Sequence, residues 1–154
     1  MRQLRDTIPL ETSYYRPYYF LGLALRGLGR YAEALSALQE ARSRAPENME
    51  VAAFIGQLQA DTGDRTGAAA TLNRLIALSG GRFDPTLLVA MIYTALGEID
   101  TAFEWVDRAI ERRTSPIYLL RLNAMFDGLK GDPRYRSCLL RIGLPPFPAA
   151  VRAN

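Results

Sequence analysis

Three windows of the chain repeat one another at a spacing of 34 residues, and that period limits the fold more than any single side chain does. Gly29, Gly63 and Gly97 keep the spacing, as do Ala34, Ala68 and Ala102, followed by Leu38, Leu72 and Val106; Gly22 and Gly56 are matched by Ala90. A period in this range marks stacked helical hairpins, in which no repeat buries its apolar face alone and neighbours share one core. Such a stack presents a long concave surface, so its expected work is holding another polypeptide rather than transforming a small molecule.

The stripes inside each window are helical. From Pro17 to Gly27, Tyr18, Leu21, Gly22 and Leu25 fall at i, i+3, i+4 and i+7, and Gly27 and Gly29 end the helix. A second helix is expected from Tyr31 to Arg44, with Ala34, Leu38 and Ala41 on one face and Pro46 as its stop. The hairpin recurs as 49–61 with 65–78 and as 84–96 with 99–112. Asp84-Pro85 is a helix start, because the carboxylate caps free amides and proline suits the first turn.

These hairpins resemble the tetratricopeptide repeat (TPR), whose pattern is W-x2-L-G-x2-Y, then A-x3-F, then P. Tyr18, Leu21, Gly22, Leu25, Ala34, Leu38, Ala41 and Pro46 satisfy the spacing in the first unit. The second keeps Ile55, Gly56, Gly63, Ala68 and Leu72 but has Gln59 and Gly80 where an apolar residue and proline are expected. The third keeps Val89, Ala90, Tyr93, Gly97, Ala102, Val106 and Ala109. The resemblance implies an all-α fold, a right-handed helical-hairpin solenoid with three full repeats over 15–114. Gly22 and Ala34 are small because paired helices cross closely there.

Leu4 lies 34 residues before Leu38, so residues 1–14 read as the second helix of a preceding repeat, an N-terminal half-repeat. That points to a piece of a longer protein, with a natural helical cap as the alternative. Beyond Arg113 the period fails. Residues 115–143 are expected to be a C-terminal helical cap, with one helix from Ser115-Pro116 to Ala124 and another from Asp132-Pro133 to Arg141, joined by residues 126–131. The proline-containing tail 144–154 is expected to be extended. The string from Ala90 to Glu98, then Ala102 to Trp105, Asp132 to Tyr135 and Ile142 to Pro145, is similar to the C-terminal TPR segments of bacterial multidomain signalling proteins. In those, the segment follows a winged-helix, nucleotide cyclase or Ser/Thr kinase domain, which implies an interaction module attached to an output domain.

Composition removes other classes. With no histidine and one cysteine, Cys138, the 154-residue chain has no Cys-His or Ser-His pair, no histidine metal site and no internal disulfide. A net charge of +3 is too small to suggest nucleic acid, and nowhere do about 18 apolar residues run together. The expectation is a cytoplasmic, non-enzymatic protein without cofactor, metal, nucleic acid or membrane segment.

One residue along from the packing stripe, about 100° around the helix, lie Tyr19, Leu23 and Arg26, and their equivalents Ala53, Gln57 and Ala60, then Leu87, Met91 and Thr94. These positions are expected to line the concave face, an apolar groove with Arg16, Arg26 and Gln57 as polar handles, suited to an amphipathic helix or an extended peptide with bulky anchors. The bland alternative packs the apolar members into the core. Tyr19, Leu23, Phe54, Asp84 and Leu88 stand where receptors of acidic chaperone tails carry their lysine, asparagine and arginine clamp, so that function is not expected. Cys138 and Trp105 read as core residues, and Asp61, Asp64, Glu98 and Asp100 as solvated caps. The expected function is binding a protein or peptide partner, or an upstream domain of the same polypeptide, in the groove. The alternative is a homodimer-forming structural module with no external ligand.

Overall fold

The computed structural model describes residues 14–77, 84–113 and 124–144, and every regular element among them is helical. The chain divides into two compact units, Met1–Ala77 and Leu78–Asn154. The first holds α1 (Arg16–Gly27), α2 (Tyr31–Arg44), α3 (Met49–Asp61) and α4 (Arg65–Ala77). Helices α1 and α2 form one hairpin, α3 and α4 the next, and α2 also packs on α3.

The first hairpin closes tightly because Gly22 stands where α1 and α2 cross. A Cβ placed on Gly22 would lie 2.6 Å from Cγ and 2.8 Å from Cδ2 of Leu38, so any larger residue forces the helices apart. Ala34 is fully buried beside it, Leu38 is 1% exposed, and Leu25, Ala37 and Ala41 are buried as well. Burying a side chain such as Leu38 contributes about 1.5–3 kcal/mol, which the crossing makes available. In the second hairpin the polar Gln59 is accommodated because it is half-buried at the rim. Its amide lies where a Cβ on Gly67 would fall, and it accepts a 3.4 Å hydrogen bond from Thr71.

One turn device repeats with the period. Gly29, Gly63 and Gly97 sit just past α1, α3 and the corresponding third helix with φ of +74°, +87° and +76°. Behind them Arg30 N donates to Leu25 O at 2.9 Å, Asp64 N to Gln59 O at 2.8 Å and Glu98 N to Tyr93 O at 3.0 Å. This is the six-to-one closure that satisfies a carbonyl left over at a helix end, and it needs the left-handed conformation glycine adopts without strain.

The second unit contains α5 (Thr86–Ala95), α6 (Ile99–Glu111), a 3-10 helix (Ala124–Leu129) and α7 (Pro133–Arg141). Helix α5 packs on α6 and on the 3-10 helix, and α6 packs on α7. Helix α5 begins two residues after Asp84 because the carboxylate accepts the Thr86 amide at 3.0 Å and the Thr86 hydroxyl, a local cap that starts the helix there. Asp132 does the same for α7, taking the Arg134 amide at 2.9 Å, with Pro133 in the first turn. The stretch expected as a plain connection at 126–131 instead begins within a 3-10 helix, held by Phe126 and Leu129, which are 2% and 0% exposed. Of the expected N-terminal half-repeat 1–14, residues 1–13, of the helix expected from Ser115 to Ala124, residues 115–123, and of the tail 144–154, residues 145–154 lie outside the described residues.

The crossing yields a direct test. Replacing Ala34 or Ala68, both fully buried, with leucine should cost roughly 1–3 kcal/mol in urea unfolding. Ala32→Leu, on the exposed side of α2, should stay within about 0.5 kcal/mol. Equal unfolding curves for all three would show that the helices do not cross where the period places them.

Candidate functional site

Two contacts fix the register of α1 against α3. The rings of Tyr19 and Phe54 meet edge to face at 5.3 Å, and Arg26 Nε donates to Asp61 Oδ2 at 2.7 Å. Both partners are 35 residues apart, one repeat plus one, so the two helices run side by side in the same direction. Leu23 and Gln57 fall at the level between these contacts. The inner seam of the first unit therefore has an aromatic end, a middle built by Leu23 and Gln57, and an ion-paired end.

Each expected residue has a definite place. Tyr19 touches Tyr15, Phe20 and Phe54 and is half-buried, and burial together with the neighbouring Glu50 carboxylate holds its phenol well above the ordinary tyrosine range. Leu23 is half-buried and Arg16 exposed at the start of α1. Arg26, expected as a free polar handle, is committed to Asp61, with side-chain exposures of 20% and 15%. Asp61 is accordingly a half-buried ion-pair partner and not the solvated cap expected of it, while Asp64 does cap α4 by accepting the Gly67 amide at 2.9 Å. Ala53 is fully buried.

Gln57 is the anomaly. It is 0% exposed, and neither its Nε2 nor its Oε1 has a hydrogen-bond partner. Leaving such groups unpaired costs about 1–3 kcal/mol, and a carboxamide is not needed for packing here, since the equivalent positions in the other repeats hold Leu23 and Met91. A buried polar group without a partner calls for a specific explanation, and a ligand-facing role is one.

The third repeat differs from an open groove. Leu87, Met91 and Thr94 are 6%, 2% and 7% exposed. Thr94 turns its hydroxyl back onto Ala90 O at 2.8 Å, and its methyl lies 3.0 Å from where a Cβ on Gly128 would stand. The 3-10 helix thus lies directly on the side of α5 that carries Thr94 and, one turn earlier, Met91. Sequence reasoning missed this because the covering segment lies outside the period.

Other candidates take structural places. Trp105 is buried under the guanidinium of Arg108, 4.5 Å from the ring, and Phe103 lies 4.4 Å under that of Arg134. Arg134 also bridges Asp100 and Asp132 at 2.9 and 2.8 Å. Cys138 is buried, which pushes its thiol up and away from reactivity. Among the described residues no group of three metal-ligating side chains converges, and no helix is long and apolar enough to cross a membrane.

Comparison with known proteins agrees with this geometry. Residues 19–85 match the tetratricopeptide repeat family. The chain is 29% identical over 140 residues to the human protein O-mannosyl-transferase TMTC1, a match that takes in 87% of this chain and 16% of the relative. The chain thus spans a small part of that protein's length. No solved structure matches the chain.

Two outcomes are expected at the seam. Gln57→Met should raise stability by roughly 1–3 kcal/mol in urea unfolding, because it removes two unpaired buried groups and keeps the volume. A loss of stability would mean that the amide is paired in the folded chain. Because the folded state favours the neutral Tyr19 phenol, its contribution is complete below about pH 10 and is lost as pH rises beyond. Tyr19→Phe should therefore flatten the alkaline fall in melting temperature, whereas an identical fall would place the phenol in water.

Proposed function

We propose that this chain, a tetratricopeptide-repeat protein across residues 19–85, is a non-catalytic interaction module that takes a partner polypeptide along the inner seam of α1 and α3. The observation that carries this reading is the unpartnered amide of Gln57 at a position where the fold itself accepts leucine or methionine. A carboxamide offers one donor and one acceptor side by side, which is the pattern an extended peptide's main chain answers. Tyr19 and Leu23 flank it as apolar anchors, Ala53 keeps the floor shallow, and Arg16 supplies a charge at the rim. The Arg26–Asp61 pair closes the far end of the seam, and Leu87, Met91 and Thr94 stiffen α5 from within.

Because Gln57 is fully buried, the partner reaches it only when the seam parts. Association is then gated by that opening and slower than diffusion permits. The reading includes a service to a larger regulatory polypeptide, with either an upstream domain or a separate protein as partner. The match to the human relative takes in 16% of that protein, a much longer chain.

Quantitative capture tests it. Immobilised wild-type chain, Leu23→Ser and Gln57→Met are exposed to lysate of the source cell, and retained proteins are compared by mass spectrometry. Partners held by the wild type should fall at least about fivefold on each variant, the loss expected for one good contact of about 1 kcal/mol. Ala32→Ser on the far side should change nothing, and circular dichroism should stay helical in all. Equal retention by every variant would remove the seam as the binding surface.

A further inference from the structure

The ion pair at the far end of the seam is only partly used. Arg26 donates to Asp61 through Nε alone, at 2.7 Å to Oδ2, and neither of its Nη groups has a hydrogen-bond partner among the described residues. Gln57 alone among those residues has buried side-chain atoms without partners, so the Nη groups of Arg26 still reach water. They hold every N–H of the guanidinium but one, and the side chain is 20% exposed.

A guanidinium held from one side has room for a second carboxylate. Arg134 in the second unit fills that room, meeting Asp132 and Asp100 together at 2.8 and 2.9 Å. Arg26 has the first carboxylate and lacks the second. Its free N–H groups form the planar fork that fits both oxygens of a carboxylate, which makes an acidic side chain the group it answers best. Asp61 keeps only Oδ1 for a partner's cation, a poorer target than the fork.

Position ties the fork to Gln57. Asp61, which holds Arg26 at its own level, lies one turn of α3 beyond Gln57, about 6 Å along the helix. That is the reach of about two residues of extended chain. A peptide whose main chain answers the Gln57 carboxamide therefore brings a side chain about two residues further along to Arg26. Access also differs along the seam. Gln57 is 0% exposed while the fork faces water, so a charged partner meets Arg26 first.

We propose that the seam takes an acidic peptide segment, in which an aspartate or glutamate about two residues from the stretch that pairs with Gln57 binds the Nη groups of Arg26. This rests on the seam being the binding surface, and it adds the charge of the partner and the residue that reads it.

A phage-displayed library of random peptides is selected on the immobilised full chain, and the strongest binder is synthesised with a fluorophore and titrated by anisotropy. Selected peptides should share an aspartate or glutamate at a fixed spacing from an apolar residue. Changing that acid to its amide should weaken binding to the wild-type chain by about tenfold or more, as for a lost charge-assisted pair. The ratio should fall below about twofold on Arg26→Gln, and equally on Arg26→Gln combined with Asp61→Asn, which leaves no lone carboxylate in the seam. Arg30→Gln breaks only the exposed Arg30–Glu33 pair and should keep the ratio. Gln57→Met should weaken the acidic and the amide peptide alike, and circular dichroism should confirm that all variants fold. If Gln57→Met weakens binding while the acid is dispensable, the seam holds a partner that is not acidic, and the proposal alone falls. A shared lysine or arginine that depends on Asp61 overturns it in the same way. No binder, or binders indifferent to both Gln57→Met and Arg26→Gln, overturns the seam as the binding surface and the proposal with it.

Discussion

Everything described in the first unit depends on how closely α1 and α2 pass at Gly22. With Leu38 too close to leave room for a Cβ on Gly22, the two helices pass tightly, and the glycine turn at Gly29 returns the chain in the register that brings Ala34 to the same point. The hairpin so formed has one fixed thickness, and a second hairpin of the same thickness stacks on it with α1 and α3 in parallel. The Tyr19–Phe54 and Arg26–Asp61 contacts, each one repeat plus one apart, are consequences of that stacking. A larger residue at Gly22 would disturb the seam without touching any seam residue.

The same construction separates two faces of α1. The inner seam is narrow, partly ion-paired and contains a buried amide that gains only when something pairs with it. The outer face, where Leu21 and Leu28 are exposed, is open and gains by area alone. A polar group that lowers stability in the free protein and a bare apolar face are both costs that a folding unit on its own has no reason to carry.

Much of the fold was legible in the sequence because its signals are local. The stripes Leu21, Gly22, Leu25 and Ala34, Leu38, Ala41 place helices, the glycines with positive φ end them, and Asp132-Pro133 begins the last one. The small residues at the crossing were legible because they recur. What escaped was tertiary. The Arg26–Asp61 pair needs the offset of α1 against α3, which no single repeat contains, and the covering of Thr94 is the work of a 3-10 helix outside the period. The position of Gln57 on the inner face could be read from the register, but its lack of a partner could not, since that depends on every neighbour at once.

The central claim, that the helices of a repeat meet where the period puts its small residues, is tested most directly by nuclear Overhauser contacts in an isotope-labelled sample of the whole chain. Gly22 α protons should show strong contacts to Leu38, because its Cδ2 methyl carbon stands 2.8 Å and its Cγ 2.6 Å from where the glycine's own Cβ would be. If Gly22 shows none and Leu38 instead meets other residues of α1, the crossing lies elsewhere, and the register of the seam and of the proposed binding surface falls with it.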